Sequence, residues 1–119
     1  PALAVSARPC AASLPVAWSL LALAAAWAPS ALAETPTLQQ LMQRNNCTAC
    51  HLIDRRKYGP HFRGVAVRYG SDANAVATLA AKIKAGGSGV WGEEPMPPQP
   101  QVSDKDARAM AQLIMALKP

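Results

Sequence analysis

A five-residue stretch constrains this chain more than any other: residues 47–51 read Cys-Thr-Ala-Cys-His. The C-x-x-C-H spacing is typical of covalent c-type haem attachment. Two thiols three residues apart can each form a thioether to a haem vinyl group, and the adjacent histidine can then bind the iron. We therefore predict that Cys47 and Cys50 hold the ring and that His51 is an axial iron ligand.

Other sites also use paired cysteines, and the motif alone leaves them open. A zinc site needs about four ligands, but beyond residue 33 the further candidates are only His61 and carboxylates. A thioredoxin-like dithiol needs a βαβ context, and no stretch here alternates strand and helix. Both alternatives therefore fit the rest of the sequence poorly.

The first 33 residues have the features of a secretory signal. Arg8 is their only charge, residues 10–28 are almost entirely apolar, and an A-x-A cleavage site ends at Ala33. We predict a cleaved signal peptide over 1–33 and a single domain over 34–119. That domain retains just two of the three cysteines, both in the haem motif. Since so small a domain buries little apolar surface, a covalent porphyrin would complete its core.

A retained membrane anchor is the competing interpretation of this segment, because its apolar run approaches the ~20 residues that span a bilayer. Pro15 and Pro29 interrupt a helix there and favour cleavage. We therefore expect a periplasmic protein with no stable membrane insertion after the signal is removed.

The rest of the sequence predicts short helices. Thr35 can cap a first helix that begins at Pro36 and runs to about Asn46. A second is predicted from about Asp72 to Ala85, because apolar residues recur at helical spacing and Gly86-Gly87 then ends it. For a third, Ser103 is the predicted N-cap. Apolar side chains recur along one face of this third helix, namely Ala107, Met110, Ala111, Ile114 and Leu117.

Residues 86–102 contain four Gly and four Pro, which is too broken a sequence for a helix or a central strand. Met96 lies between prolines in this loop, so a stiff segment presents its thioether. A sulfur ligand opposite an imidazole leaves no open iron position, which suits electron transfer. We predict Met96 as the second axial ligand.

The tight turn Gly59-Pro60 is expected to bring a backbone carbonyl to the free ring nitrogen of His51, which would fix the tautomer of the ligand. His61 is a rival second ligand. It follows His51 by only ten residues, so the chain would have to pass around the ring edge within that span. We expect His61 at the surface or on the His51 side.

From residue 35 to 118 the chain resembles the small bacterial class I cytochromes c, and most specifically their c-551 type. The resemblance rests on Cys-Thr-Ala-Cys-His, then Tyr-Gly-Pro, then Ala-Lys-Ile-Lys-Ala-Gly at the end of a helix. It is most specific in Gly-Val-Trp-Gly-Glu-Glu-Pro-Met-Pro-Pro over residues 89–98.

The resemblance implies an all-α cytochrome c fold, with three to four short helices around one covalently bound haem c and a long loop carrying the distal Met96. It implies that Pro60 supplies the carbonyl for His51 and that Trp91 donates its indole N–H to a haem propionate. Lys82 falls where the family commonly has a basic residue near a propionate, usually Arg rather than Lys.

The resemblance also implies a one-electron carrier rather than an enzyme. Its donor would be a quinol-oxidising complex or another cytochrome, and its acceptor a terminal reductase such as a nitrite reductase, a peroxidase or an oxidase. Two alternatives stay open: a haem enzyme or gas sensor with an open sixth iron position, and a haem subunit dedicated to one enzyme.

Charge suggests how partners are met. Without residues 1–33 the formal charge falls from +5 to +4, because Arg8 is the only charged residue in that segment. A basic cluster just after the haem motif, formed by Arg55, Arg56 and Lys57, could steer docking to an acidic redox protein; the alternative is a merely solvated loop. No aromatic residue interleaves it as in nucleic-acid sites. We expect a monomer that binds no nucleic acid.

Overall fold

The computed structural model describes residues 32–117, and the chain divides into two units, 1–33 and 34–119. The predicted signal peptide lies almost wholly outside the described residues and stays a prediction. Within residues 32–117 none of the helices is both long and apolar enough to cross a membrane.

The described residues form an all-α fold, as predicted. Four α-helices are connected by loops, and they are α1 (Leu38–Arg44), α2 (Phe62–Tyr69), α3 (Ala75–Ala85) and α4 (Asp104–Met115). A short 3₁₀ helix, Cys47–Ala49, carries the first part of the haem motif. Residues 86–102 form no helix, and the one β-bridge in the described part of the chain joins Gly87 to Met96 within them.

Helix α1 begins two residues later than predicted. The Thr37 hydroxyl accepts a hydrogen bond from the Gln40 N–H at 3.2 Å, and the Gln40 side chain accepts from the Thr37 N–H at 2.7 Å. This capping box satisfies two backbone donors, so Thr37 rather than Thr35 is the N-cap. The helix ends before Asn46, whose φ of +58° turns the chain into the haem motif.

Helix α2 was not predicted. Its N-cap is His61, whose Nδ1 accepts from the Gly64 N–H at 3.1 Å. Histidine is not among the residues that usually cap helices, and Gly64 inside the helix lowers its propensity. The sequence therefore lacks both signals that would have revealed it.

Helix α3 starts three residues after the predicted Asp72. The carboxylate of Asp72 accepts from the Asn74 N–H at 2.8 Å, which forms a local turn instead of the first helical residues. The end is as predicted: the chain leaves the helix at Gly86, with φ +68°. A Cβ at Gly86 would lie 2.2 Å from the Met96 carbonyl oxygen, so this stop also permits the close approach of the 86–102 loop.

Helix α4 is the element against which α1, α2 and α3 all pack. Ser103 is its N-cap, as predicted, and accepts from the Asp106 N–H at 3.0 Å. The predicted apolar face is buried at Ala107, Met110, Ala111 and Ile114, and Leu117 packs against the core while partly exposed. A hydrogen bond from Lys84 on α3, reinforced by its charge, lowers the pKa of Asp104 in the first turn of α4.

The crossing of α1 and α4 is fixed by a polar cluster at its edge. The Arg44 guanidinium donates to both carboxylate oxygens of Asp106 at 3.0 Å, and the Asn45 amide donates to the same carboxylate at 3.3 Å. Asn45 also donates to the Leu41 carbonyl at 3.0 Å. The contacts with Asp106 connect residues 61 and 62 positions apart in sequence, so they stabilise tertiary rather than local structure.

We expect Asp106→Asn to lower the free energy of unfolding by about 1 kcal/mol, because the Arg44 side chain is 55% exposed and solvent screens the pair. Unfolding of the purified protein in guanidinium chloride measures the change. In a double-mutant cycle, Arg44→Gln should cost little more once Asp106→Asn is present. Full additivity of the two substitutions would contradict an energetic role for this pair.

Candidate functional site

A single cleft brings together most of the residues selected from the sequence. It has an empty volume of about 1420 Å³, part of it open to solvent. Its apolar walls come from three helices and include Phe62, Val65, Leu79, Ile83, Met110 and Ile114. Because these side chains also belong to or pack against the hydrophobic core, the cleft is a gap in the core rather than a surface groove.

The two cysteines lie at the edge of this cleft. Cys47 is partly buried and Cys50 is exposed, and both line it. Backbone bonds to the Cys47 carbonyl, from the Cys50 N–H at 3.1 Å and the His51 N–H at 2.9 Å, wind the segment tightly. Burial raises the pKa of the Cys47 thiol against the opposing effect of a backbone hydrogen bond, and the neighbouring Cys50 adds to the rise.

His51 is held rigidly in the cleft wall and is only 8% exposed. Its Nδ1 lies 2.9 Å from the Pro60 carbonyl oxygen. A carbonyl can only accept, so Nδ1 donates to it, and in the neutral imidazole Nε2 then keeps a free lone pair. The Phe62 ring stacks on the imidazole at 5.1 Å between centroids. The structure thus leaves His51 with one nitrogen prepared to bind a metal.

Gly59 is a residue of the site that the sequence analysis selected only as part of a turn. A Cβ there would lie 2.3 Å from His51 Cε1 and 2.9 Å from its Nε2, so only glycine fits against the ring. The Gly59 N–H also donates to the Cys50 carbonyl at 2.9 Å, which folds the segment back on the haem motif. The Gly59-Pro60 pair predicts a turn that meets His51, but it does not reveal that the glycine itself lies against the imidazole ring.

Met96 lines the same cleft from the 86–102 loop and is partly buried. Two backbone bonds join it to Gly87: its N–H donates to the Gly87 carbonyl at 2.8 Å, and its carbonyl accepts from the Gly87 N–H at 2.9 Å. This pair fixes the backbone that carries the thioether. The prolines on either side restrict the same backbone further.

Trp91 and Lys82 also line the cleft, Trp91 partly buried and Lys82 exposed. Two arginines that the sequence did not connect with Trp91 contact it. Arg56 Nη2 donates to the Trp91 carbonyl at 3.1 Å, and Arg68 Cζ lies 5.0 Å from the centroid of the Trp91 ring, within cation–π range. Contacts between positions 23 and 35 residues apart leave no local signal in a sequence.

The basic cluster of Arg55, Arg56 and Lys57 is exposed, but two of its members make contacts within the protein. Arg56 binds Trp91 as described, and Lys57 Nζ donates to the Thr48 carbonyl at 3.2 Å. The cluster is therefore partly a structural element of the cleft edge.

The sites considered as alternatives can be compared with this geometry. Among residues 32–117 no three His, Cys, Asp or Glu side chains converge as they would around a metal ion. His61, the rival axial ligand, caps α2 through Nδ1, and it is not among the described residues that line the cleft.

The residues of the cleft fit a covalent haem. Two cysteine sulfurs lie at its edge, an imidazole held through Nδ1 lies in one wall, a thioether lies on the loop, and apolar side chains enclose the space between. Because the Gly59 backbone lies directly against the imidazole, the fold of this segment fixes the position of the His51 ring. This is the donor set of a His/Met-ligated c-type centre.

Comparison with known proteins agrees with this site. The cytochrome c family model matches residues 39–118. The chain is 47% identical over 78 residues to cytochrome c-552 of Nitrosomonas europaea, covering 66% of this chain and 76% of that protein. It is 46% identical over 82 residues to cytochrome c-551 of Azotobacter vinelandii, covering 69% of this chain and 99% of that one.

The fold is similar as well. The crystal structure of wild-type Nitrosomonas europaea cytochrome c552 superposes with a TM-score of 0.66 at 46% identity, covering 67% of this chain and 99% of that structure. On the combined evidence of the site, the family match and the relatives, this chain belongs to the cytochrome c family, in its class I c-551 type, and its cofactor is a covalently bound haem c.

Proposed function

We propose that this protein is a periplasmic one-electron carrier in which Cys47 and Cys50 hold the haem covalently and His51 and Met96 are the two axial ligands. The observation that carries the proposal is that His51 and Met96 line one cleft and that the ring of His51 and the backbone of Met96 are each fixed. His51 is held through Pro60 and Gly59, and Met96 through Gly87.

When bound, the haem supplies the couple between ferrous and ferric iron. The side chains of the chain itself decide how that couple is used. His51 Nε2 and the Met96 sulfur would occupy both axial positions and exclude small ligands. The apolar walls exclude water, which raises the potential by disfavouring the more highly charged ferric state.

The polar edge of the cleft has its own proposed roles. Trp91 is the proposed donor to a propionate, and Lys82 is the proposed cation near one, a role in which its single ammonium replaces a planar guanidinium. Both line the cleft. We assign no catalytic residue, because an iron with two protein ligands offers no position for a substrate.

The principal test is the optical spectrum of the purified protein in the ferric and ferrous states, with carbon monoxide then added to the ferrous form. We expect a low-spin c-type spectrum with a ferric sulfur-to-iron band, and no change on adding carbon monoxide. Met96→Ala is the matched variant and should lose the band and bind carbon monoxide. Ready binding by the wild type would favour the enzyme or sensor alternative instead.

We further propose that residues 1–33 are a cleaved signal peptide and that 34–119 is the mature domain, which supports a free carrier rather than an anchored subunit. The A-x-A site ending at Ala33 supports this. Fractionation of cells followed by N-terminal sequencing should give a periplasmic protein that begins at Glu34. An intact N-terminus in the membrane fraction would favour a tethered subunit of one enzyme.

The donor and acceptor are proposed to be redox proteins, a quinol-oxidising complex or another cytochrome on one side and a terminal reductase on the other. Arg55, Arg56 and Lys57 are proposed to steer an acidic partner to the cleft, because all three are exposed and Arg56 lines the cleft beside Trp91.

Such steering predicts a salt-dependent rate with a small anionic oxidant. Oxidation of the ferrous protein by ferricyanide should slow as ionic strength rises. Arg55→Gln should lower the rate by about two- to threefold at low salt and little at high salt. Stopped-flow kinetics measures both effects, with Lys105→Gln on α4 as a matched exposed control. Equal effects of the two variants would show that the rate depends on the net charge of the protein and not on the position of this cluster.

A further inference from the structure

The two sides of the cleft are connected by one exposed side chain. Arg56 belongs to the segment that follows His51, and its Nη2 donates to the carbonyl of Trp91 in the 86–102 loop at 3.1 Å. The hydrogen bond therefore joins the segment with the proposed proximal ligand to the loop with the proposed distal ligand.

The same loop is held a second time, through the ring of Trp91. Arg68 on α2 places its guanidinium carbon 5.0 Å from the ring centroid. One arginine thus binds the main chain of Trp91 and another contacts its side chain. Trp91 is consequently the point at which the outer part of this loop is attached to the body of the protein.

The loop needs such attachment because its backbone has little stiffness between Gly86 and Glu93. Gly87, Gly89 and Gly92 all have positive φ values, and a Cβ at Gly87 or Gly89 would meet nothing within 4 Å. No side-chain packing therefore restrains the backbone at these two glycines. Contacts from outside the loop therefore restrict the many conformations that glycine permits.

Two sets of backbone hydrogen bonds connect the turn that contains Trp91 with Met96. The Gly89 N–H donates to the Gly92 carbonyl at 2.9 Å and closes a turn with Trp91 inside it. Gly87, two residues before that turn, forms the reciprocal pair with Met96. A displacement of Trp91 would therefore also move Gly87, the residue to which the Met96 backbone is hydrogen-bonded.

We propose that Arg56 is a positioning residue for Met96, acting through the Trp91 carbonyl to keep the 86–102 loop closed over the cleft. This role rests on the proposed ligation of the iron by Met96. It differs from partner steering, because it depends on the hydrogen bond rather than on the charge. Arg55, its exposed neighbour, offers the same charge without that bond.

The test is a titration of the ferric haem-loaded protein with imidazole, at a pH where free imidazole is neutral, followed by loss of the sulfur-to-iron band. Imidazole competes with Met96, so its apparent affinity reports how readily the loop opens. Wild type is compared with Arg56→Ala, Arg56→Lys and the matched control Arg55→Ala.

We expect Arg56→Ala to bind imidazole about three- to tenfold more tightly, the ratio expected for loss of one ordinary hydrogen bond. Arg55→Ala should match wild type, and Arg56→Lys should fall between, because an ammonium can donate at a single point. Denaturant midpoints of the two alanine variants should stay close to wild type, since both side chains are exposed.

Two results would overturn the proposal: an unchanged imidazole affinity in Arg56→Ala, or an equal shift in both alanine variants, which would assign the effect to charge. Absence of the sulfur-to-iron band from the untreated wild type is a different outcome. That absence would show that Met96 does not bind the iron, and the positioning role of Arg56 would fall with it. The spectrum that decides this is recorded before any imidazole is added.

Discussion

The 2.9 Å contact between His51 Nδ1 and the Pro60 carbonyl is the interaction on which the rest of the site depends. A proline carbonyl can only accept, so it determines which imidazole nitrogen keeps a lone pair. The ten residues between the haem motif and α2 are folded to make this contact. Gly59 must be a glycine because its backbone lies against the ring, and Phe62, the first residue of α2, stacks its side chain on the same ring.

The opposite wall is held by a different kind of constraint. The His51 imidazole is packed against Gly59 and Phe62 and is held by the Pro60 carbonyl. The 86–102 loop is instead restrained at separate points: the Gly87 pair at Met96, the Arg56 bond at Trp91, and the Gln99 N–H on the Lys84 carbonyl at 2.8 Å. Close packing leaves the His51 ring little freedom to move. The position of Met96 therefore depends on a few separate contacts of its loop.

The sequence was sufficient for the parts of this fold that have local causes. The haem motif, the N-cap at Ser103 and the stop at Gly86 each depend on a few adjacent residues, and the structure has the last two where they were expected. Helix α2 was missed because a histidine caps it and a glycine interrupts its pattern. The contacts of Arg56 and Arg68 with Trp91 could not be found either, because they depend on how distant segments pack.

Helix α4 serves two purposes with the same side chains. Met110 and Ile114 are buried among the residues that hold the helices together, and they also line the cleft. Any change of volume or polarity at either position alters the surroundings of the iron and the packing of the domain at once. Evolution of the redox potential through this wall is therefore coupled to thermal tolerance, whereas side chains at the cleft edge, such as Lys82 and Val90, can vary with little loss of stability. Divergence in potential among related carriers should accumulate at the edge first.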